Sequence, residues 1–193
     1  VYKRQPLYPT FSQAFNISGV SEVKSMNTQH KPTYISLFSS AGVGCYGFKM
    51  AGFDCIATNE LLERRLNIQR YNQKCKYPGG YICGDITQEQ TKKLLYDQLE
   101  LWKAKEHLSR VDVVIATPPC QGMSIANQKK TDTEIVRNSL VVESIKIIQK
   151  INPRFFVFEN VPAFMKTICT DLDGTNKSIA DAIERSLGQE YSY

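Results

Sequence analysis

From about Thr33 onward, short apolar runs alternate with amphipathic stretches. Tyr34-Ile35-Ser36-Leu37-Phe38, Phe53-Asp54-Cys55-Ile56-Ala57-Thr58, Tyr81-Ile82-Cys83, Val111-Asp112-Val113-Val114-Ile115-Ala116 and Phe155-Phe156-Val157-Phe158 are too short for helices. Each has a Gly or Pro within two residues of one end, and so they predict strands. Between them lie helical patterns. A short one runs through Phe48 and Met50 to a stop at Gly52, and a second covers 61–73. The third is capped by Thr87, with Gln90 at capping-box spacing, and runs to about His107. A fourth carries Leu140, Val141, Ile145, Ile147, Ile148 and Ile151 and is closed by Pro153; the last covers 178–187 and stops at Gly188. Five βα units of this kind imply an α/β fold, a doubly wound, mostly parallel sheet with helices on both faces.

The polar segment 122–137 reads as a loop. Residues 1–32, polar with scattered aromatics, read as an arm or linker ahead of a domain over 33–193. The chain opens at Val1, and Tyr191-Ser192-Tyr193 resembles the first residues of a strand. The domain is therefore expected to be incomplete after its fifth βα unit, with an unpaired sheet edge there.

Composition changes this picture little. The 193 residues are 42% hydrophobic and 22% charged, with no run approaching a membrane span and no export signal, so a reducing cytoplasm is the expected compartment. The net charge of +5, from 24 basic and 19 acidic residues, is compatible with a polyanionic partner but too small to identify one. Six cysteines include no CxxC pair, and His30 and His107 have no ligand spacing, so no metal is expected. Cys55 and Cys83, inside apolar strands, read as buried reduced thiols.

The chemistry gathers at strand ends, where open α/β sheets hold their ligands. Thr117-Pro118-Pro119-Cys120-Gln121-Gly122 ends the Val111 run with a double proline and a cysteine, and the Phe155 strand delivers Glu159-Asn160-Val161. A thiol and a carboxylate at one edge suggest covalent catalysis on a substrate protonated as it is attacked. Gly42-Val43-Gly44-Cys45-Tyr46-Gly47 matches GxGxxG between a strand and a helix, Glu60 can accept hydrogen bonds from ribose hydroxyls, and Asp85 can face an adenine amino group or stabilise a helix N-terminus. These features favour an adenosine-type cofactor. A dinucleotide oxidoreductase built on the 42–47 glycines would also fit them.

Taken in order, Ser36-Leu37-Phe38 with Gly42, Asn59-Glu60, Gly84-Asp85-Ile86, Pro119-Cys120-Gln121-Gly122-Met123-Ser124 and Glu159-Asn160-Val161 resemble the motifs of DNA cytosine-5 methyltransferases. The resemblance implies a Rossmann-like methyltransferase fold, S-adenosylmethionine as cofactor with S-adenosylhomocysteine as product, and double-stranded DNA as partner. It implies that Phe38 stacks on adenine, Glu60 holds the ribose beside Leu61, and Asp85 and Ile86 frame the adenine edge. Ser39, Ala41, Gly42 and Pro119 would line the methionine side, and Leu140 would touch the cofactor. Cys120 would add to cytosine C6, and Glu159 would protonate the ring. Gln121, Ser124, Lys129 and Arg137 would form a DNA-contacting loop closing over a flipped base. The sequence departs from the family pattern at Ser36, usually aspartate, and at Ser40 and Val43, usually glycines. The family's recognition domain and returning helix have no room after Val161, so a second chain could supply them. The resemblance leaves restriction–modification and epigenetic marking open, with a nucleoid or nuclear location if chromosomal DNA is the substrate. A non-catalytic module of methyltransferase type is a further alternative, against which Cys120 and Glu159 count.

Overall fold

The computed structural model describes residues 31–119 and 132–192, with 132–139 as backbone alone. The expected arm lies almost wholly outside the described residues. The main sheet holds β1 (Thr33–Leu37), β2 (Asp54–Glu60), β3 (Tyr81–Cys83), β4 (Val113–Ala116) and β5 (Phe155–Phe158) in the order β3-β2-β1-β4-β5, each neighbour parallel to the next. The connecting helices are α1 (Tyr46–Met50), α2 (Glu63–Tyr71), α3 (Glu89–Glu106) and α4 (Asp132–Ile151), followed after β5 by α5 (Ile179–Leu187). The chain winds outward from β1 to β3, then returns to add β4 and β5 on the other side. That reversal opens a crevice between the carboxyl ends of β1 and β4.

Period-two alternation divides the core between the two faces of the sheet. Ile35, Leu37, Ile56, Val114 and Ala116 join Leu95, Leu99 and Trp102 of α3 and Val141, Ile145 and Ile148 of α4 in one cluster. Tyr34, Cys55, Val113 and Ile115 form a smaller second cluster with Cys45 and Cys75, closed by Phe48 and Phe53. The Tyr34 and Phe48 rings stack with centroids 4.9 Å apart.

The edge strand β5 keeps this alternation but not its coverage. Phe156 packs edge-on against Tyr191, and Phe158 meets Phe164. Phe155 and Val157, in register with Val113 and Ile115, remain 50% and 39% exposed.

Several expectations need correction. Tyr191 does not begin a strand: its backbone N–H closes a turn onto Leu187, and its hydroxyl donates to the Pro153 carbonyl at 2.7 Å. Thr87 does not cap α3. Its N–H and hydroxyl both bond Asp85 Oδ1 in a local turn, and Gln88 takes the cap position without a side-chain bond. Helix α4 takes in 132–137 of the segment expected to be loop, so Arg137 lies on the helix, and the rest of that segment lies outside the described residues. Cys83 is exposed rather than buried, because β3 is an edge strand of three residues and Cys83 ends it. A small antiparallel hairpin, β6 (Ile168–Thr170) and β7 (Asn176–Ser178), precedes α5. Its strands are too short and polar to announce themselves by periodicity.

The asymmetry of coverage is open to test by denaturant unfolding. Ile148→Ala, at a side chain with no exposed surface, is expected to cost about 2–5 kcal/mol. Phe155→Ala should stay within about 1 kcal/mol. Equal losses would mean that the outer face of β5 is covered in solution.

Candidate active site

The carboxyl ends of the five strands are joined sideways by hydrogen bonds beyond the strands themselves. Between β1 and β2, Ser39 donates its N–H and its hydroxyl to the Asn59 carbonyl, at 2.9 and 3.0 Å. Between β2 and β3, the Gly84 N–H reaches the Glu60 carbonyl, and Asn59 Nδ2 donates to the carbonyls of Ile82 and Gly84. Thr117 links β4 to β1, its hydroxyl donating to the Phe38 carbonyl at 2.9 Å. Glu159 N–H bonds the Ala116 carbonyl, and Asn160 Nδ2 bonds the Pro118 carbonyl at 2.8 Å, tying β5 to β4. Asn160 also uses its side-chain oxygen to accept the Val161 N–H.

Above this stitched edge lies a cavity of about 590 Å³, a size suited to a cofactor. Phe38 and Ser40 line it from β1, Asn59, Glu60, Leu61, Leu62 and Arg65 from β2 and the start of α2, and Gly84, Asp85 and Ile86 from β3. Thr117, Pro118 and Pro119 close it from β4, Glu159, Asn160 and Val161 from β5, and Leu140 from α4. Gly84 has φ +147°, and a Cβ there would stand 2.7 Å from Thr91 Oγ1, so only glycine lets α3 approach this end of β3.

The carboxylate of Glu60 is the electrostatic centre of the β2 end, its side chain 5% exposed. One oxygen accepts the Ser40 N–H at 2.8 Å; the other takes the Leu62 N–H and the Arg65 guanidinium, both at 3.1 Å. Phe38 and Ser40 both hold positive φ, +55° and +49°, a region where non-glycine residues are strained. Glycine, expected at position 40 from the resemblance, would hold this φ without strain.

Of the residues singled out in the sequence, Phe38, Glu60, Leu61, Asp85, Ile86, Pro119, Leu140 and Glu159 share this cavity. Ser39 is buried and spends its hydroxyl on Asn59 and Gln69. Ala41 and Gly42 line a separate groove of about 250 Å³ beside α1 and α2. Cys120, Gln121, Ser124 and Lys129 lie outside the described residues, as does the Arg137 side chain. Sequence reading missed Arg65, Leu62 and the buried Gln69, and named Thr117 within its motif without a role. Arg65, three residues into a helix that follows an acidic strand end, was open to a charge-pairing argument; Gln69 left no such signal.

The glycines at 42–47 do not favour a dinucleotide fingerprint. A Cβ on Gly47 would meet nothing within 4 Å, whereas the last glycine of the fingerprint is there for close approach of helix to strand. Among the described residues, no helix is long and apolar enough to cross a membrane.

A crevice at the switch point of a doubly wound sheet, with an acid at the end of β2 and a second acid beyond β5, lies where α/β proteins of this architecture hold their ligands. The family model for C-5 cytosine-specific DNA methylases matches residues 33–184. The chain belongs to this family. It is 34% identical over 161 residues to the type II methyltransferase M1.HgaI of Avibacterium volantium, covering 81% of this chain and 42% of that protein. It is 35% identical over 172 residues to M.NmeDI of Neisseria meningitidis serogroup C, covering 84% of this chain and 38% of the relative. The chain therefore spans less than half the length of these relatives. The fold is also that of a crystal structure described as a DNA modification methyltransferase encoded within an E. coli prophage, with a TM-score of 0.57, 22% identity and coverage of 84% of this chain and 39% of that one.

Asn160→Ala should cost about 1 kcal/mol in urea unfolding, through loss of the bond that ties β5 to the Pro118 turn. Asn160→Asp, which cannot donate, should lose as much. Full stability in Asn160→Asp would show that the bond holds nothing together.

Proposed function

We propose that the protein carrying this chain methylates C5 of cytosine in double-stranded DNA, with S-adenosylmethionine as methyl donor. The observation that carries this reading is one cavity edge shared by Phe38, Glu60 and Asp85, by the Pro118–Pro119 turn that leads to Cys120, and by Glu159.

The cavity suits an adenosyl group. It offers one half-buried aromatic ring at Phe38, apolar surface from Ile86 and Leu140, and a carboxylate at Glu60. Phe38 would stack on the adenine, Asp85 and Ile86 would border its edge, and Glu60 would accept the ribose hydroxyls, with Leu61 alongside. Asp85 Oδ1 already takes both Thr87 bonds, so an adenine amino group would have to share that oxygen or use Oδ2. Ser39, Ala41 and Gly42 would act through the backbone of the turn, and Pro119 would border the methionine side. Bound there, S-adenosylmethionine would supply an electrophilic methyl group and depart as S-adenosylhomocysteine.

Cytosine C5 is a poor nucleophile because the ring is aromatic and electron-poor. Addition of the Cys120 thiolate to C6 would break that aromaticity and turn C5 into an enamine carbon. Negative charge grows toward N3 as the thiolate adds, and a proton held there by Glu159 would lower the barrier. The enamine carbon C5 would then take up the methyl group; loss of the C5 proton to water and return of the N3 proton to Glu159 would expel the thiolate and restore the ring. Such chemistry requires a base rotated out of the duplex. Gln121, Ser124, Lys129 and Arg137 would belong to the loop that closes over the flipped base, with Lys129 and Arg137 at its phosphates.

Calorimetric titration tests the cofactor. S-adenosylhomocysteine should bind, NAD should not, and Glu60→Ala should lose about 1.5–3 kcal/mol of affinity with its charged acceptor. Binding of NAD without any response to S-adenosylhomocysteine would sink the reading.

The nucleophile is tested separately. DNA with 5-fluorocytosine at the target should trap a covalent adduct in the full-length protein, since fluorine cannot leave as a proton. Cys120→Ser should abolish the adduct; an adduct that persists would place the reactive thiol elsewhere.

A further inference from the structure

We propose that Gln69 is a positioning residue for the adenosyl site, clamping the strained turn after β1 in its binding-competent shape; this rests on the cofactor reading above. Gln69 lies on the inner side of α2 and is 1% exposed. Nothing in helix propensity calls for a buried amide there, and all its polar atoms are engaged. Its Nε2 donates to the Ser39 hydroxyl at 2.8 Å and to the Ser40 carbonyl at 2.6 Å. Its Oε1 accepts from the Thr58 hydroxyl at 2.8 Å and from Lys74 Nζ at 3.0 Å. A Cβ built on Gly42 would come within 3.0 Å of Gln69 Cγ, so the side chain also lies against the last residue of the turn.

Ser40 is therefore gripped from both ends. Its carbonyl is held by Gln69, and its N–H is held by Glu60, the proposed ribose acceptor. With φ +49° it has reason to leave this conformation if released. Release would shift the Ser40 N–H away from Glu60, leaving that carboxylate held only through its other oxygen and misaligning the Phe38 side of the cavity. Gln69 does not line the cavity; it meets the cavity wall only through Ser40 and lines the neighbouring groove beside Ala41 and Gly42. Its effect on cofactor affinity would pass through Ser40.

The shape-conserving variant Gln69→Glu separates this role from simple packing. It keeps the acceptor for Thr58 and Lys74, gaining an ion pair with the latter, but removes the donor to Ser39 and Ser40. S-adenosylhomocysteine affinity should fall about ten-fold or more, the loss of a buried donor from a strained peptide, in a protein that still unfolds cooperatively, at a somewhat lower melting temperature. Adding Ser40→Gly, which holds positive φ without strain, should restore most of that affinity. Lys74→Met, which removes one bond orienting Gln69, should weaken binding less, by about two- to five-fold, and serves if Gln69→Glu does not fold. Unchanged affinity in a folded Gln69→Glu protein would overturn the role of Gln69 alone. So would a loss that Ser40→Gly fails to rescue, since the buried carboxylate would then be its cause. If the parent chain itself ignores S-adenosylhomocysteine, both this inference and the cofactor reading fall.

Discussion

The structure depends on how the carboxyl edge of the parallel sheet satisfies its backbone. Each strand stops there with polar groups facing a cavity, and a buried N–H or C=O left unpaired costs as much as a lost hydrogen bond. Short side chains make up the difference: Ser39 to Asn59, Asn59 to Ile82 and Gly84, Thr117 to Phe38, Asn160 to Pro118. These bonds run across the sheet, at right angles to its core packing. They hold groups from separate strands around one cavity, as any chemistry shared between Glu159 and the far side of the site requires.

Strain and charge meet at the β1 turn. Phe38 and Ser40 sit in a backbone region that disfavours them, and both line the cavity. Residues in such conformations persist where their surroundings hold them. Here the holding groups are Thr117 on the Phe38 carbonyl and the Gln69–Glu60 pair on either side of Ser40. Glu60 also carries Arg65, so a ribose arriving at this carboxylate would have to share it with a guanidinium or displace it. On the proposed reading, cofactor affinity would be coupled to the first turns of α2, a helix that contributes only Leu66 and Gln69 to the buried interior.

The opposite end of the sheet is less complete. The outer face of β5 leaves Phe155 and Val157 half-covered, although their register neighbours Val113 and Ile115 are buried. An apolar edge of this kind is a site for pairing or packing. Phe156 and Phe158, on the inner face, are held by Tyr191 and Phe164.

The sequence by itself determined the strand–helix alternation, the parallel sheet and the list of residues at strand ends. Those signals are local: apolar periodicity, Gly and Pro punctuation, and ordered motifs that each span a few residues. From them Phe38, Glu60, Asp85, Pro119 and Glu159 could be named before any contact was known. Tertiary structure alone decided which of the named residues share a cavity, sending Ala41 and Gly42 to a separate groove and spending Ser39 on its neighbours. It also decided that Cys83 is exposed and that Tyr191 folds back as a hook instead of starting a strand. Gln69 is the plainest case. A glutamine in a helix has no periodicity or motif to mark it, and its role arises from four partners that lie 5 to 30 residues away in sequence. Such partnerships depend on where the folded sheet brings α2, and no local pattern encodes that distance.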